Sequence, residues 1–237
     1  MDRTFNVLAT LTIGSLIVTG LLFGIIFYQE RSATTTLSST LTFTLTIRPN
    51  QTLDEVTFLI PLPANAVGYS SVIAMAGARE ITALPPDWNT TLVGTAGYTY
   101  LGISAARIPA EKGNVTPYRL TVRTAASRFA LDTVAPEANT PVFRPRSAGR
   151  AQACAPVQEG TPSACRAYEG YIFAQYRAVP DAEVEIQLEL VGTNTWQSLG
   201  DHSGAYMDAL SLSLHGPVQG WHTASGVLVT GIGEEFP

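Results

Sequence analysis

Charge is scarce in this 237-residue chain, and one kind of it is almost missing. Only 14% of the residues are Asp, Glu, Lys or Arg, and a single one is lysine, Lys112. The net charge is −5, and no basic stripe with interleaved aromatics occurs. Nucleic acid is therefore not an expected partner. Ligating residues are few as well: two cysteines, Cys154 and Cys165, and three histidines, His202, His215 and His222. A copper centre wants paired cysteines with His and Met, a Rieske cluster wants Cys–His pairs, and structural zinc wants clustered ligands. None of these sets can be assembled, so no metal and no cofactor is expected. A G-x-S-x-G elbow is missing, as are an internal repeat and an amphipathic helix of useful length.

What the chain does have begins at once. From Thr4 to Gln29, 26 residues pass without a charge: TFNVLATLTIGSLIVTGLLFGIIFYQ. As a helix this run reaches roughly 39 Å, enough for a hydrocarbon core of about 30 Å. It is longer than the roughly 7–15 apolar residues of a cleaved signal, and a cut after Ala33 would put Arg31 in the −3 position. Residues 1–30 are thus expected to form an uncleaved, single-pass signal-anchor. Counting flanking positive charge puts the N-terminus in the cytoplasm and the C-terminal body outside. Gly20 and Gly24 form a GxxxG, a face that permits a dimer through the membrane helix, although glycine is common in such helices anyway.

Residues 31–40 read as a Ser/Thr-rich stalk. The remainder, 41–237, alternates with period two. Leu41, Phe43, Leu45 and Ile47 oppose Thr40, Thr42, Thr44 and Thr46; Val184, Ile186, Leu188 and Leu190 oppose Glu183, Glu185, Gln187 and Glu189. Such alternation marks half-buried strands. Further strands are expected at 56–60, 90–93, 98–103, 118–122, 168–177, 206–214 and 226–232. Residues 64–84 stay ambiguous, with a strand at 71–75 or a helical turn at 74–79. About ten strands separated by turn residues predict an all-β body, most simply an antiparallel two-layer β-sandwich. A split into two subdomains near 136–165 is the alternative.

Between 135 and 165 the chain becomes rich in Pro, Gly, Ala and Arg. A loop of this length is uncommon inside a domain and is often functional. Arg144, Arg146 and Arg150 make it the candidate contact loop. Cys154 and Cys165 lie at its far end, and a disulfide between them suits an extracytoplasmic compartment; two free thiols are the alternative. Asn50, Asn89 and Asn114 open N-x-[ST] sequons in turn-like sequence, candidate glycosylation sites on an external body.

Catalytic constellations are weak. Asp201-His202-Ser203, with Asp208 beyond, has the residue types of a hydrolytic triad, but neighbours on an extended segment point to opposite faces. Glu183, Glu185 and Glu189 are expected to meet Arg119 and Arg123 across strands rather than to hold calcium. The expectation is a non-enzymatic, membrane-anchored surface protein: a structural, adhesive or partner-binding module with a protein or glycan partner outside the cell. A membrane-tethered hydrolase using His202, and a subunit of an envelope or filament assembly, are the alternatives.

Overall fold

The computed structural model describes residues 14–26, 28, 36–77, 85, 87–95, 97–110, 118–127, 130–143, 149–154, 164–198 and 200–236. Residues 14–26 are helical (α1). The body is antiparallel β: β1 (Ser38–Pro49), β2 (Leu53–Pro61), β3 (Asn89–Thr95), β4 (Tyr98–Ile108), β5 (Tyr118–Ser127), β6 (Arg150–Gln152), β7 (Ala164–Arg177), β8 (Glu183–Gln197), β9 (Asp201–His215) and β10 (Val218–Gly233). The ambiguous stretch resolves as a short helix, α2 (Ser71–Gly77). Ser70 caps it, its hydroxyl accepting from Val72 N at 3.1 Å.

Every expected strand lies within an observed one, and the inward phases are those of the sequence. Leu41, Phe43, Leu45 and Ile47 are buried, as are Val184, Ile186, Leu188 and Leu190. The two-layer sandwich is not what these strands build. They form one sheet in the order β3-β4-β2-β7-β10-β9-β8-β1-β5, with β6 beside β7. The physical reason lies in β7 to β10, which run 14 to 16 residues each. Long paired ladders carry the hydrogen bonding through the bend, so no gap opens to make two separate layers. Bulges add local twist: Glu55 in β2 has φ 54°, and Gly231 in β10 has φ 64° at a register shift. The sheet therefore curls around its apolar face. α2 touches both edge strands, β3 and β5, and the rings of Trp88 and Tyr118 meet there at 5.1 Å. One main core cluster includes residues of β1, β2, β4, β5, β7, β8, β9 and β10, together with Val142 and Phe143.

The anchor expectation has a different outcome. Among the described residues no helix is long and apolar enough to cross a membrane. The described part of α1 is about 20 Å long at the usual helical rise. Every residue of it is exposed, including Leu16, Ile17, Leu21, Leu22 and Phe23. Gly20 and Gly24 lie on it with nothing within 4 Å of where a Cβ would stand. Half of the expected stalk, residues 31–35, lies outside the described residues, and its end, Ser38 to Thr40, is the start of β1 rather than stalk.

Candidate functional site

The expected contact loop is only partly a surface. Residues 130–143 fold inward as a cap over one end of the curled sheet. Phe143, Val142, Thr140 and Thr133 are all buried in it. Ala64 and Val142 form an isolated bridge that ties the cap to the segment after β2. Arg144 and Arg146 lie outside the described residues, whereas Arg150 is exposed on β6. Cys154 and Cys165 form a disulfide that fastens the end of β6 to the start of β7.

Buried polar groups hold the cap. Asn194, fully buried on β8, pairs twice with Leu131: its Oδ1 accepts from Leu131 N at 2.9 Å and its Nδ2 donates to Leu131 O at 2.8 Å. Ser39 also donates to Oδ1. Asp208, fully buried on β9, accepts from Phe143 N at 2.6 Å and from the Tyr168 hydroxyl at 2.5 Å. Tyr206 donates to Pro141 O at 2.5 Å. Burial pushes the Asp208 carboxyl up to about 7, against the two hydrogen bonds that pull it down. Because a buried polar atom without a partner is costly, these contacts specify where the cap sits.

Asp208 is therefore structural in its contacts, and the triad residue types do not converge. His202 stands at the start of β9, stacked on Trp196 at 5.7 Å. Its Nδ1 contacts Glu234 Oε2 at 2.6 Å and its Nε2 contacts Ser198 O at 2.6 Å. Both nitrogens face acceptors, so the carbonyl and then the carboxylate raise its pKa. A general base needs a nitrogen turned to a hydroxyl, and here that nitrogen faces a main-chain carbonyl. Asp201 instead accepts from Gln197 Nε2 at 3.0 Å. His215 lies beside Glu183 on the outer face, while His222 has the inward phase of β10. Among the described residues no three potential metal ligands converge.

Two surfaces on the outer face of the sheet stand out. The first is a band of aromatic rings from β4 to β10. Trp221 is 49% exposed, yet three rings surround it: Tyr100 at 5.3 Å, Phe173 at 5.5 Å and Tyr171 at 6.5 Å. Tyr98 continues the band from Tyr100. A half-exposed Trp already fixed by neighbours loses little freedom on binding, which is the character of an interface anchor. The sequence hid it, because its rings come from strands far apart in the chain.

The second is a trough of about 470 Å³. Its floor is two cross-strand rows in register. One runs Arg119, Thr46, Gln187, Ser211, Ser225 over β5, β1, β8, β9 and β10; the other starts at Thr121 and Thr44 and continues through Glu189. The expected meeting of Glu183, Glu185 and Glu189 with Arg119 and Arg123 is blocked by topology, since β1 lies between β8 and β5. Glu185 pairs instead with Arg48 of β1 at 3.0 Å.

Of the sequons, Asn50 is exposed and its Oδ1 accepts from Glu183 N at 2.6 Å. Asn89 is exposed at the start of β3, and Asn114 lies outside the described residues. No protein-family model matches this chain, and comparisons with curated proteins and with solved structures give no match either.

Proposed function

We propose that this protein is a non-enzymatic surface module, held at a membrane by its N-terminal apolar segment and presenting its β body outside the cytoplasm to a partner. One observation carries the reading: every residue of α1 from 14 to 26 is exposed, and eight of them are large hydrophobics. An apolar helix with no polar face and no cover from the body requires an apolar medium around it. The uncharged run from Thr4 to Gln29 supplies the length a span needs. The Cys154–Cys165 disulfide supports an oxidising compartment for the body. The aromatic band around Trp221 supports a binding role on the rigid outer face.

A second reading, a subunit of a membrane-bound assembly, is favoured by the open Gly20–Gly24 face of α1. The experiment for the main reading is protease protection on intact cells, with reducing and non-reducing gels in parallel. Digestion of the body from outside, with a mobility shift on reduction, is the expected result. A protected, unshifted body overturns both the placement and the surface role. Crosslinking in native membranes separates the second reading: a monomer counts against it.

A further inference from the structure

We propose that the trough on the outer face binds an acidic oligosaccharide, laid across the strands with a uronate carboxylate at Arg119. This deepens the surface-module reading above and rests on it for where such a ligand is met. The row Arg119, Thr46, Gln187, Ser211, Ser225 spans five adjacent strands. Four interstrand spacings of about 4.8 Å make it about 19 Å long, the length of a tetrasaccharide. Each residue in it carries a hydrogen-bonding side chain, which matches a ligand whose own surface is a line of hydroxyls.

Thr46 is the most telling member. It is buried to 5% exposure, it lines the trough, and among the described residues its hydroxyl has no hydrogen-bond partner. The residue is largely enclosed, yet its hydroxyl oxygen still reaches solvent, so it is open to a ligand lying in the trough. Charge then orients the occupant. Arg48 is already engaged by Glu185, whereas Arg119 is exposed and has no ion pair among the described residues. Glu189 stands two strands away on the neighbouring row. A carboxylate is thus drawn to the β5 end and repelled from the middle.

Other occupants fit less well. The rows run across the strands and meet the free edge of β5 only at their end, so an extended peptide lying along them cannot pair as an added strand. A single strand of nucleic acid wants aromatic faces on which its bases stack, and the row carries none.

The test uses the full chain in detergent micelles and calorimetric titration. The probes are tetrasaccharides of hyaluronan, chondroitin and heparosan, in which uronates alternate with uncharged sugars, with methyl-esterified hyaluronan as the uncharged counterpart. Saturable one-site binding of at least one acidic tetramer is expected. R119Q weakens it by about tenfold or more and removes the preference over the methyl ester. T46V weakens the acid and the ester alike, and W221A, on the separate aromatic band, changes neither. The proposal is overturned if none of the three acidic tetramers binds, or if R119Q leaves binding intact. Because Arg119 is exposed, R119Q remains informative even if T46V fails to fold. Micelles have no sidedness, so failure here removes the ligand alone, whereas failure of the protease test removes the placement alone.

Discussion

Tyr206 lies directly across the β8–β9 ladder from Gly192, with its ring over the place where a side chain at 192 would begin. A Cβ added at Gly192 would stand 2.0 Å from the ring. The same arrangement recurs between Tyr168 and Gly226 on β7 and β10, where the Cβ would come within 2.4 Å of the ring. Both glycines serve as seats for tyrosines whose hydroxyls reach the cap, Tyr206 to Pro141 and Tyr168 through Asp208.

Gly192→Ala must therefore displace a buried aromatic ring and its hydrogen bond. A loss of about 1–3 kcal/mol from overpacking is expected, and more if the Pro141 contact is broken. Urea unfolding followed by near-ultraviolet dichroism measures it. Gly94→Ala, at a site with open space around it, serves as the comparison and is expected to change little.

Asp208 makes stability depend on pH. Its folded value, about 7, lies above the ordinary 3.8. The native state then holds a proton that the unfolded state releases, so the contribution is complete below about pH 4 and is lost as pH rises to about 7. At about 1.36 kcal/mol per pH unit, the whole window amounts to on the order of 4 kcal/mol. Asp208→Asn can still accept from Phe143 N and can donate to the Tyr168 oxygen. Thermal melts across pH 4 to about 8 are expected to slope for the native chain and to slope less for D208N, in which the His202 contribution remains. Asp208→Ala, which leaves both partners unpaired, is expected to cost about 1–3 kcal/mol for each.

His202 gives a second and separable pH signal. Its pKa is raised above 6.5, first by the Ser198 carbonyl and next by Glu234. Its contribution is present at low pH and fades as pH rises through the folded value. Ring titration by NMR should find His202 above the ordinary histidine range. Glu234→Gln should lower that value and loosen the C-terminal segment, whose Phe236 ring packs on Trp196 at 5.3 Å.

Removing the disulfide by Cys154→Ser with Cys165→Ser is expected to cost about 3 kcal/mol, from the freedom regained by a short loop in the unfolded chain. The effect should fall on the β6–β7 edge and its small outer cluster of Ala205, Val229 and Ile232. Hydrogen exchange should show faster opening there, with the ladder between β8 and β1 unchanged.

Several of the buried groups were within reach of the sequence. The alternation Leu210, Leu212, Leu214 on β9 continues backward onto Asp208 and Tyr206, so both carry the inward phase. Asn194 likewise continues the inward phase of β8. Reading Asp208 as a companion of His202 passed over that phase. Trp221 was harder, since the apolar pattern of β10 begins after it and gives no hint of its ring neighbours on β4 and β7. The Pro/Gly-rich composition after Ala135 suggested an exposed loop, yet Phe143 within it is 1% exposed. Composition averages over a segment, while burial is decided by one aromatic and the polar contacts that fix it.

By itself the sequence determined the strands, their apolar faces, the uncharged N-terminal run and the pairing of two nearby cysteines. These are local matters: period two needs only neighbouring residues, and ten intervening residues already keep two thiols close. Tertiary structure decided which strand lies beside which. That choice placed β1 between β8 and β5, set Arg119 next to Thr46, and gathered Tyr98, Phe173 and Trp221 into one band. It also turned an expected sandwich into one curled sheet. Alternation reports only that a face must be buried; what buries it is settled by packing among strands that are distant in the chain.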